Sequence, residues 1–199
     1  MKGATKYRSI ASLAPLLSLL LLNTSCSNSL FKVKPASALP PLSATAASAN
    51  VGAVTFRAAP LLTDEETQEL FESNLQLAGL LPIRLEVIHH GGDSIEIKKL
   101  KFRLHDAANA NWKLISAKAA ISRILKANDV FAYNPNSRRT FEKEFRAYEF
   151  DLKTPFTSTE TKRHGILIFQ TAKKEPVASP KDLTLTIEGL PQPVSLKLN

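Results

Sequence analysis

Much of this chain alternates apolar and polar residues at a period of two, the pattern of strands with one buried face. Val54, Phe56 and Ala58 alternate with Thr55 and Arg57, and Pro60 ends the run. Leu81, Ile83, Leu85 and Val87 alternate with Arg84 and Glu86, which predicts a strand with one wet face. Gly91, Gly92 and Asp93 then turn the chain, and Ile95 and Ile97 begin the return. After that the apolar positions change parity to Leu100, Phe102 and Leu104. A strand buried on one face cannot make that change without an extra residue, so a bulge or sheet crossover is expected at Lys98 and Lys99. Tyr148, Phe150 and Leu152 predict a further alternating strand. Ile166, Leu167, Ile168 and Phe169 are consecutive. A run apolar on both faces belongs at the centre of a sandwich or under a helix. Leu183, Leu185 and Ile187, then Val194, Leu196 and Leu198, read as a terminal hairpin turning at residues 189–193.

Two segments follow a helical period instead. Thr63 and Glu66 stand at capping-box spacing before a short helix to about Ser73, with acids in its first turn where the helix dipole favours them. Ser116 is the candidate cap of a second helix, whose Ala117, Ala120, Ile121, Ile124 and Leu125 recur at spacings of three and four. Residues 134–139, with Pro135 and the pair Arg138 and Arg139, read as an exposed loop.

About seven strands with two short connecting helices predict a mainly β protein, an antiparallel β-sandwich rather than a doubly wound sheet. No βαβ rhythm or glycine-rich strand-to-helix turn is present. The layout over residues 51–199 resembles the immunoglobulin-like domains found on bacterial envelope lipoproteins, a resemblance of strand pattern and context.

The N-terminus supplies that context. Lys2, Lys6 and Arg8 precede thirteen uncharged residues, 10–22, ending in four leucines. This is the n-region and h-region of an export signal. As a helix it spans roughly 20 Å, short of the ~30 Å hydrocarbon core, which disfavours a permanent transmembrane helix. Thr24 and Ser25 then precede Cys26, the single cysteine of 199 residues. The segment resembles the lipobox of bacterial lipoproteins, with Asn23 at the place usually held by an aliphatic residue and Leu22 one further out. That resemblance implies a signal peptide over residues 1–25 and lipidation of Cys26 as the first mature residue. Ser27 implies the outer membrane facing the periplasm in a diderm host. The alternative is an ordinary signal peptide cut nearby, with Cys26 incidental.

Residues 26–50 read as the lipidated cysteine and a tether. Twelve of the sixteen residues 35–50 are Ala, Ser or Pro and none is charged, so little side chain is available to offset ordering entropy and a mobile segment is expected. One cysteine excludes an intrachain disulfide and a thiolate metal cluster. The net charge of +8 falls to +5 once Lys2, Lys6 and Arg8 leave with the signal.

Catalytic signals are sparse. His89 and His90 with Asp93 are metal-ligand types, yet adjacent strand residues point to opposite faces, so both imidazoles reach one ion only if the strand has already broken into the turn. Ser29 and Lys32 satisfy S-x-x-K beside the anchor, in a segment read as too mobile for a nucleophile and its base. No nucleophile elbow, P-loop or dinucleotide fingerprint is present. Lys99, Lys101 and Arg103 form a cationic stripe on an open face if Leu100, Phe102 and Leu104 point inward. It reads either as a solvated face with edge lysines or as a contact for an anionic envelope polymer or lipid headgroup. Nucleic acid is a poor partner for an exported chain. The expectation is a lipid-anchored, non-catalytic accessory module without cofactor or metal, held at the membrane and contacting another envelope protein or anionic surface. The alternative is a metal-dependent or hydrolytic envelope enzyme using the His89, His90 and Asp93 turn.

Overall fold

The computed structural model describes residues 29–199 apart from Asn109, Asn111 and Ser158. The signal-like segment and Cys26 lie outside the described residues. Strands β1 (Ala47–Val51) and β2 (Val54–Pro60) lead to helix α1 (Asp64–Phe71), then β3 (Leu80–His89), β4 (Lys101–His105) and β5 (Lys113–Ile115). Helices α2 (Ala117–Ala127) and α3 (Pro135–Arg146) precede β6 (Lys162–Gln170), β7 (Thr184–Glu188) and β8 (Val194–Lys197). The fold is mainly β, with these eight strands in two antiparallel sheets and three helices among the described residues.

The larger sheet has the order β1-β2-β3-β6-β5 and the smaller β4-β7-β8. Between them lies one core that draws Phe56, Leu85 and Phe169 from the larger sheet and Phe102, Leu185 and Leu196 from the smaller. The outer face of the larger sheet bears a second core, in which Leu80, Ile166 and Ile168 meet Ile121 and Ile124 of α2, Phe141 and Phe145 of α3, and Phe71 of α1. The apolar run in β6 follows from this arrangement, because Leu167 and Phe169 enter the first core while Ile166 and Ile168 enter the second. The wet face expected on β3 is corrected for the same reason. Leu80, Pro82 and Glu86 are buried, because helices and the N-terminal segment cover that side.

The parity change after Ile97 is a sheet crossover. A 3-10 turn over Ile97–Lys99 carries the chain out of the larger sheet's side, where Ile95 bridges Phe156, into β4 of the smaller sheet. The capping box forms as the spacing predicts: Thr63 Oγ1 accepts from the Glu66 amide at 3.2 Å, and Glu66 Oε2 accepts from the Thr63 amide at 3.0 Å. Ser116 caps α2, and the five apolar positions read from its period are its buried residues.

Three expectations are corrected. Residues 134–139 open α3 instead of forming a loop: Asn134 accepts from the Asn136 amide, Pro135 takes the first turn, and Phe141 and Phe145 supply the buried stripe. The segment around Tyr148 makes only an isolated parallel bridge, Glu149 with Ile166, and no strand. Its backbone lies so close to β6 that a Cβ at Gly165 would fall 2.6 Å from Phe150 Cα. Residues 35–50, expected as a mobile tether, lie on the folded body. Residues 47–50 belong to β1, Leu42 is buried, and the carbonyls of Lys34, Pro40 and Ser43 accept hydrogen bonds from Tyr148, Arg84 and Arg57. Donors remote in sequence supply what the Ala, Ser and Pro side chains lack.

Candidate functional site

Three loops meet at one end of the two sheets around a cleft of about 730 Å³. They are the β1–β2 turn at Gly52, residues 90–100 between β3 and β4, and the β7–β8 turn from Gly189 to Gln192. Gly189 permits the closest approach. Its φ is +92°, and a Cβ there would stand 2.5 Å from the Lys99 carbonyl oxygen, so only glycine lets the β7–β8 turn lie against the crossover.

His89 lines this cleft and is buried, as the last inward position of β3. Its ring stands edge-on to Phe156 at 5.6 Å, and Nδ1 is buried without a hydrogen-bond partner. A buried donor or acceptor left unpaired is uncommon enough to call for an explanation. His90 turns the other way, with Nε2 2.8 Å from Thr55 Oγ1, which itself donates to Asn50 Oδ1. Asp93 is exposed on the rim. The strand geometry therefore separates the two imidazoles. Among the described residues no three His, Cys, Asp or Glu side chains are grouped as metal ligands.

Of the basic stripe, Lys99 lines the cleft, and Lys101 and Arg103 project from the open face of β4. Arg103 is paired with Glu188 of β7 at 2.8 Å. The stripe is thus partly neutralised by its own sheet, and Lys99 and Lys101 remain as exposed cations.

One polar cluster has no counterpart in the sequence reading. Glu86 is buried on the outer face of the larger sheet, with Arg57 at 2.9 Å and Lys162 at 2.5 Å. Burial pushes its carboxyl up, but hydrogen bonds from Lys162 and Arg57 outweigh that effect and hold it below the ordinary carboxylate value. The register places Arg57, Glu86 and His164 in one row across β2, β3 and β6. Residues 39–42 roof a small pocket of about 180 Å³ beside this row. Cross-strand register was the available signal, but it requires knowing that β3 pairs with β6.

Among the described residues, no helix is long and apolar enough to cross a membrane. No family model, curated protein or solved structure matches the chain.

Proposed function

We propose that this chain is an exported, lipid-anchored bacterial envelope protein whose immunoglobulin-like sandwich is a non-catalytic binding module, with the loop-end cleft as its contact surface. The anchor reading is supported by the position of Cys26 at the end of the apolar signal-like run. The sandwich reading is supported by strand order. β2-β3-β6-β5 facing β4-β7-β8 follows the ABED and CFG order of constant-type immunoglobulin domains, with β1 added at one edge. In that correspondence the cleft lies between the B–C and F–G loops, the end that variable domains use for recognition, which is an argument from analogy of fold.

The observation that bears most weight is the open cleft itself, rimmed by Asn50, Asp93, Lys99 and Gln192 with the buried His89 at its wall. Such a site suits an envelope protein presenting a hydrogen-bonding group on a mixed polar and apolar surface. Photo-crosslinking groups placed at Asp93 and Gln192 in intact cells are expected to capture the same envelope protein, and one at Lys197, on the open face of the smaller sheet, is not. Capture at Lys197 alone would reject the cleft. Cys26→Ser is expected to move the chain from the membrane to the soluble fraction, and unchanged retention would reject the anchor.

A further inference from the structure

We infer that the layer formed by α2, α3 and the turn between them faces the membrane, with an anionic lipid surface as its partner; its orientation rests on the anchor reading of Cys26. Three observations converge on this face.

The first is charge. Residues 113–146 contain eight basic and three acidic side chains, a net +5, whereas the rest of residues 26–199 contains fifteen of each. The whole net positive charge of the chain after the signal therefore resides in β5, α2, α3 and their turns. It also points outward. Lys118 and Lys126 lie on the solvent stripe of α2, and Arg139, Lys143 and Arg146 on that of α3, opposite the buried positions of each helix. Arg138 and Arg146 pair with Glu142, but Lys118, Lys126, Arg139 and Lys143 form no ion pair among the described residues. Clustered cations of this kind are attracted to anionic headgroups within a Debye length.

The second is Phe131. It occupies the α2–α3 turn with 75% of its surface exposed, the most exposed large apolar side chain among the described residues. Lys126 and Arg138 line the same shallow depression. An aromatic ring flanked by cations on a helix-to-helix turn is suited to the headgroup and acyl boundary.

The third is where the chain enters the fold. Phe31 packs on Phe141 of α3 with ring centroids 5.0 Å apart. Phe31 follows Cys26 by only five positions in the chain. Fully extended they reach roughly 18 Å, so a lipid on Cys26 keeps α3 within about that distance of the bilayer. The smaller sheet, on the far side of the larger one, then faces away.

The test uses the full chain in membrane vesicles from cells, with Phe131→Cys or Lys197→Cys labelled by an environment-sensitive thiol dye. With the Cys26 sulfur held in a thioether to its lipid, the introduced thiol is the single reactive one. At position 131 we expect a blue shift, quenching by nitroxide lipids and loss of iodide quenching; at position 197 we expect iodide quenching alone. Equal iodide quenching at both positions, without lipid quenching at 131, overturns the inference. Reversing Lys118, Lys126, Arg139 and Lys143 to Glu in the Phe131→Cys chain is expected to abolish lipid quenching while the chain stays in the membrane fraction. Undiminished lipid quenching overturns the electrostatic basis. Dye uptake by the unsubstituted chain would reveal a free Cys26 thiol and reject the anchor alone. Positions 131 and 197 are then read in the Cys26→Ser chain on phosphatidylglycerol vesicles, with the same supporting and opposing results.

Discussion

Phe31 packs against Phe141 at 5.0 Å with the ring planes inclined at 60°, although the two are remote in the chain. Phe141 is fully buried and Phe31 only partly so, so the two substitutions should differ. Phe141→Ala is expected to cost about 3–5 kcal/mol by leaving a cavity under α3. Phe31→Ala should cost roughly 1–2 kcal/mol, since only part of the ring leaves the core. Urea unfolding measures both, and limited proteolysis of Phe31→Ala should cut residues 35–46 faster than in the unsubstituted chain.

Glu86 links pH to stability. Its folded-state carboxyl lies below its ordinary value, so the contribution is complete above the unfolded-state value of about 4.5 and is lost as pH falls through the lower folded value. Glu86→Gln should reduce stability at pH 7 by about 1–3 kcal/mol, because the negative charge is lost and one of the two acceptor oxygens becomes an NH2 donor facing a cation, while Arg57 and Lys162 remain partly exposed and can rehydrate. The difference between the two proteins should shrink on acidification below pH 4.5. A constant difference in urea midpoints from pH 7 to pH 3 would contradict this account.

Gly165 of β6 lies directly against the backbone of Phe150, a residue of the core between the two sheets. Gly165→Ala places its methyl 2.6 Å from Phe150 Cα and should destabilise by about 1–3 kcal/mol through backbone displacement. Hydrogen exchange is the informative measurement. The amides of Phe150 and Ile166, which bond Ile166 and Tyr148 carbonyls at 3.0 and 2.7 Å, should lose protection first.

His89 separates binding from stability. His89→Leu removes a buried nitrogen that has no partner, so the thermal midpoint should hold or rise. The same substitution should lose the protein captured at the cleft. Retained capture would place recognition elsewhere on the surface.

The elements legible from the sequence are those whose partners are local or whose period is complete. The capping box of Thr63 and Glu66 lies within one turn, and the five buried positions of α2 repeat without interruption. α3 was hidden because only Phe141 and Phe145 mark its buried face, while Pro135, Arg138 and Arg139 at its start have loop-like composition. The order of residues 35–50 depends on donors from Arg57, Arg84 and Tyr148, which composition within the segment cannot reveal. The cleft brings together three loops far apart in sequence. Its signals there were the Gly91–Gly92 pair, Gly189 and an inward His89, each of which reads as a turn or a strand end when taken singly.

The packed N-terminal segment also determines how the molecule bears a load. A pull applied ahead of Phe31 does not first stretch a slack chain. It acts on the Phe31 ring against α3 and on the Lys34 amide bonded to the Leu70 carbonyl at 2.9 Å, then on the bonds from Tyr148, Arg84 and Arg57 to the Lys34, Pro40 and Ser43 carbonyls, and only after these yield does it reach the β1–β2 ladder. Traction on this segment would therefore strip it from the helical core before it loads β1, whose last residues Asn50 and Val51 line the loop-end cleft, so the cleft keeps its shape until the N-terminal segment has come away.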